Sequence, residues 1–73
     1  MIADANVAAS LAEAAKEAYR IMDDSAALVR SRCDEAEAQQ YVHAVGNVCC
    51  EIIFRIMEPL YEAHPELKPE GWD

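Results

Sequence analysis

The chain has 73 residues, 14 of them acidic and 6 basic, for a formal charge of −8. That is one domain at most, of a size at which a single core supplies only about 3–5 kcal/mol and staples or oligomerisation are common. Charge of this sign repels phosphate backbones and gives anionic lipid no basic face, so it argues against nucleic-acid and membrane partners and favours a basic protein surface.

Two glycines, three prolines and five aromatics in a chain rich in alanine and glutamate, without alternating β-branched runs, give an all-α composition. The first helix is expected over residues 4–30. Asp4 or Asn6 can cap its orphan amides, and Ser10-Leu11-Ala12-Glu13 offers a later start as a capping box. Val7, Leu11, Ala14, Ala18, Ile21, Ser25 and Leu28 recur at spacings of four and three, which makes them the expected contact stripe. Its small residues would let another helix come close, while Tyr19, Met22 and Val29 widen it. The opposite face carries Glu13, Lys16, Glu17, Arg20, Asp23, Asp24 and Arg30, with Glu17–Arg20 and Arg20–Asp24 at ion-pair spacings.

The turn is expected at residues 31–34, because Asp34 can cap a new helix and the split leaves two helices of similar length. Asp23-Asp24-Ser25 is a competing break with equally good turn chemistry, and one unbroken helix in a coiled coil is a third arrangement. A second helix follows over 34–58. Asp34 with Glu37 resembles a capping box, and Glu35 and Glu37 suit the positive end of the helix dipole. Val42, Val45, Cys49, Ile52 and Ile56 form its stripe, flanked by Tyr41, Val48, Ile53, Met57 and Leu60. Gly46 lies mid-helix, where a close helix crossing would explain it. Pro59 ends or kinks the helix, or opens a short helix over 59–63. Residues 65–73 read as an extended tail in which Trp72 either folds back or stays exposed.

The segment Val48–Met57 is apolar on nearly every side, and a helix of that kind must be covered from several directions. Phe54, Cys50, Met57 and Tyr61 form a second stripe off the main seam. The expected architecture is therefore an antiparallel two-helix hairpin dimerising into a four-helix bundle. The expected interface comprises Val45, Val48, Cys49, Ile52, Ile53, Phe54, Ile56, Met57, Leu60 and Tyr61.

Chemistry-bearing residues are few. His43 and Cys50 lie seven apart with Asn47 between them, a spacing that puts imidazole and thiol on one helical face. Gln40 stands where a Glu-x-x-His pair would need glutamate, so a metal site would require a second copy. Cys49-Cys50 could sense redox state; Glu51 opposes thiolate formation there, Arg55 favours it, and burial of Cys49 is the simpler expectation. Cys33, near the turn, is expected to be the exposed thiol. Three cysteines without a CxxC pair, adjacent helical Cys49 and Cys50, and no apolar run of 18 residues or basic leader point to a soluble cytoplasmic protein with free thiols. No Gly-rich phosphate loop, Ser/His/Asp layout or metal cluster is present, so no catalytic residue or cofactor is expected. The functional expectation is a small acidic non-catalytic interaction module. It would regulate or inhibit a partner protein in the manner of an antitoxin, immunity protein or adaptor. The alternative is a metal- or redox-sensing helical dimer using His43 and Cys49/Cys50.

Overall fold

The computed structural model describes residues 1–72, which are mostly helical, with no strand among them. Helix α1 spans Ala5–Arg32. Asp4 caps it: its Oδ1 accepts from the amides of Asn6 at 2.9 Å and Val7 at 3.0 Å. Ser10 lies inside the helix, so the later capping box is not used. Alanine-rich sequence carries the helix through Asp23-Asp24-Ser25, where the competing break was expected, and the Ser25 hydroxyl donates to the Met22 carbonyl at 2.6 Å. Arg30 and Arg32 sit in the last turn, complementing its negative end.

Cys33 and Asp34 are extended and make the turn, which rules out one continuous helix. Asp34 then caps α2, Glu35–Ile52, accepting from the Glu37 amide at 2.8 Å. This is the expected hairpin, with α1 and α2 packed against each other.

The second helix does not stop at Pro59. Residues Ile53–Met57 form one π-helical turn, and helix α3, Glu58–Ala63, continues from it with Glu58 still in the helical region. The Glu58 amide bonds five residues back, to the Ile53 carbonyl. Proline has no amide and its ring crowds the carbonyl of the turn before it. The wider turn lies directly ahead of Pro59 and lets the chain pass without a break. Of the expected tail over 65–73, Asp73 lies outside the described residues, and residues 65–72 do not form an extended segment. Pro65–Leu67 form a 3₁₀ turn, and Trp72 folds back edge-on to Tyr61, with ring centroids 5.0 Å apart. His64 Nε2 lies 2.5 Å from the Ile2 carbonyl and ties the two ends of the chain together.

Packing corrects both expected stripes by one residue. On α1 the buried line is Ala8, Ala12, Ala15 and Ala26, not Val7, Leu11, Ala14 and Ile21. The partner side is bulky: Met57, Leu60 and Tyr61 pack on Ala8, Ala12 and Ala15, so small residues give the closer fit. On α2 the stripe holds through Val45 and Cys49. The π turn then inserts one residue, so Met57 is buried and Ile56 is exposed. Gly46 is corrected too. A β-carbon there would meet nothing within 4 Å, so it serves no close crossing.

Candidate functional site

The core is small for what the chain exposes. Half of its ten buried apolar residues are alanines, and Leu60 and Tyr61 are its largest fully buried side chains. Ten larger apolar residues remain exposed, among them Ile21, Leu28 and Phe54 at 53%, 58% and 63%. The described chain measures 45 × 20 × 16 Å. Helices α1 and α2 pack side by side and make a layer with a seam between them. Such a layer has two broad faces.

The exposed apolar residues are not scattered over those faces. On α1, Val7, Leu11, Ile21 and Leu28 each stand immediately before a buried or half-buried residue: Ala8, Ala12, Met22 and Val29. On α2 and the π turn, Tyr41, Val48 and Ile56 stand immediately before Val42, Cys49 and Met57. In an antiparallel pair, positions that precede the seam on both helices fall on the same side. A direct contact fixes this: the Ser25 and Tyr41 hydroxyls, one from each stripe, are 2.9 Å apart. The seven side chains therefore share one broad face. The preceding positions on α1 carry no charge; those on α2 include Glu37 near the turn and Glu51, which is ion-paired with Arg55.

Positions that follow the seam make the other face. Glu13, Lys16, Asp23, Arg30, His43 and Glu58 lie there, with Gly46, Cys50 and Phe54. Lys16 pairs with Glu13 at 3.1 Å. Arg20, on the outer edge, bridges Glu17 and Asp24, the two ion pairs expected from spacing. Its guanidinium holds the Glu17 carboxyl below the ordinary range. All these pairs are exposed, so each contributes little to stability.

The residues expected at an interface divide three ways. Val45, Cys49, Met57, Leu60 and Tyr61 are buried within the chain itself: Val45 and Cys49 on the α2 stripe, the other three where the π turn rotates the end of the helix onto α1. Ile52 and Ile53 are half-buried against that core. Val48, Phe54 and Ile56 are exposed, Val48 and Ile56 on the apolar face and Phe54 on the other.

His43 and Cys50 are exposed, whereas Cys49 is buried and burial pushes its thiol up. No group of three or more His, Cys, Asp or Glu side chains among the described residues is placed to hold a metal ion. His43 instead lines an open depression beside the hairpin turn with Arg30, Glu35 and Gln39. Two features had no signal in the sequence pattern. One is a shallow cleft between Lys16, Tyr19, Ile53, Met57 and Trp72. The other is the Tyr61 hydroxyl, which is buried and finds no hydrogen-bond partner among the described residues. No helix among the described residues is long and apolar enough to cross a membrane.

No protein-family model matches the chain, and neither a curated protein nor a solved structure matches it significantly.

Proposed function

We propose that this protein is a non-catalytic interaction module in which two hairpins pair as a four-helix bundle and present an acidic outer surface to a partner protein. The observation that carries the reading is the imbalance between a core built half from alanine and ten large apolar side chains left in water. Single exposed apolar residues are ordinary, but a contiguous set on one face marks a contact surface. Helices that pack in a second layer would cover it, and short hairpins commonly reach stability in that way.

The partner reading rests on charge. With the apolar face consumed, what remains outside carries most of a net charge of −8. Such a surface steers toward basic proteins, as an inhibitor, antitoxin, immunity protein or adaptor would require.

Light scattering after size exclusion tests the first half. The expected mass is twice 8.1 kDa over a wide concentration range, and a mass of 8.1 kDa throughout would refute self-association. Salt tests the second half: screening lengths fall from about 30 Å at 0.01 M to 3 Å at 1 M, so binding of a basic partner should weaken steeply. Binding unchanged by salt would remove the electrostatic part.

A further inference from the structure

We infer that the second copy is held by the face built from Val7, Leu11, Ile21 and Leu28 of α1 with Tyr41, Val48 and Ile56 of the second helix, and not by the face that carries Phe54. This rests on the reading that the hairpin self-associates, and it names the surface and its occupant.

Tyr41 and Val48 are seven residues apart, two turns of α-helix, and lie on one line. Ile56 follows after eight, which in regular α-helix would swing it about 80° off that line. The π turn at Ile53–Met57 absorbs the extra residue and brings Ile56 back. The insertion that puts Met57 inside thus also completes the outer stripe.

From their exposures the seven side chains present roughly 600 Å² per copy, so two copies cover about 1,200 Å², above the ~1,000 Å² a specific interface needs. Phe54 is more exposed than any of them, but its face also carries Glu13, Lys16, Asp23, Arg30, His43 and Glu58.

Charge selects a second copy over a basic partner. The α1 stripe is uncharged in a chain of charge −8 and gives a cationic protein nothing to attract. On α2, Glu37 lies near the turn and Glu51 is neutralised by Arg55. Two copies laid face to face keep most of their carboxylates on the outside. The stripe also suits its own copy: small Ala14 and Ala18 lie between the larger Leu11 and Ile21. An antiparallel two-fold setting would pair Leu11 of one copy with Ile21 of the other and let the backbones approach between them. The Ser25–Tyr41 hydroxyl pair is a polar point on an apolar surface, of the kind that fixes register.

The test uses the unaltered protein. Tyr19 and Tyr41 are equally exposed in the hairpin, at 38% and 37%, so their oxidation in hydroxyl-radical footprinting differs only if one is covered. Tyr41, Ile21 and Leu28 should be protected several-fold, more so as concentration rises, while Tyr19 and Phe54 are not. Equal oxidation of Tyr19 and Tyr41 in a sample of doubled mass would overturn the assignment and leave self-association standing. A sample of single mass would overturn both. Variants give an independent readout: Ile21→Glu or Val48→Glu should halve the mass, and Phe54→Glu should leave it unchanged. The reverse pattern would place the second copy on the Phe54 face.

Discussion

Replacing Tyr61 by phenylalanine should stabilise this protein. Tyr61 is 1% exposed, and its hydroxyl has no hydrogen-bond partner among the described residues. In the unfolded chain that hydroxyl is hydrated, so folding removes a hydrogen bond to water and returns none. The penalty for such a group is about 1–3 kcal/mol. Phenylalanine removes the penalty and keeps the ring. It therefore retains the packing on Ala8, Ala12 and Ala15 and the edge-on contact with Trp72, a contact worth about 0.5–1.5 kcal/mol. The net expectation is a gain of about 1 kcal/mol, which in a domain of this size raises Tm by about 4–8 °C. Thermal melts followed by circular dichroism, at one fixed protein concentration because an associating protein melts in a concentration-dependent way, measure it directly. Tyr61→Leu is the control; it loses the ring as well and should melt lower than the wild type. If Tyr61→Phe falls as far as Tyr61→Leu, the hydroxyl has a partner and the reasoning fails.

Two further outcomes follow from the positions of Gly46 and the cysteines. Gly46→Ala should stabilise by up to ~1 kcal/mol without changing the mass, since the added methyl meets nothing within 4 Å and glycine is a poor interior helix residue; urea unfolding checks it, and a loss of self-association would show that a second copy lies over Gly46. Thiol labelling near pH 8 should modify Cys33 and Cys50 rapidly and Cys49 slowly, because burial raises the Cys49 pKa and leaves less thiolate at any pH below it; comparable rates for all three would mean that the helix pair opens at Cys49.

Local chemistry was legible in the sequence wherever it stayed local. Asp4 and Asp34 cap the two helices because a short acceptor ahead of an apolar-periodic run has few other uses, and the turn falls at Cys33-Asp34. The Glu17–Arg20–Asp24 pairs follow from spacing alone. What was not legible was which of two adjacent lines on α1 faces inward. Ranking by hydrophobicity favours Val7, Leu11, Ile21 and Leu28, but alanines are buried instead, since the choice depends on the size of what packs opposite. That partner, Leu60 with Tyr61, is set by a π turn, and no residue pattern short of Pro59 itself announces one. The apolar segment Val48–Met57 is expected to need cover on several sides, and the chain supplies one of them through α1.

These two misreadings have one physical origin, and it bears on function. An α1 seam made of alanine lets the helices come close but buries little area per residue, and burial stabilises by only about 25 cal/mol per Å². Larger side chains at the seam itself would give a deeper hairpin core; placed one position earlier, they leave roughly half of their surface in water until something covers them. Exposed apolar surface of this extent is an aggregation hazard unless it is occupied. A chain that keeps its bulk on one largely apolar face, and most of its acid elsewhere, divides its surface into an apolar part and a charged part. In the proposed dimer the hairpin is half of a unit whose fold is completed between copies.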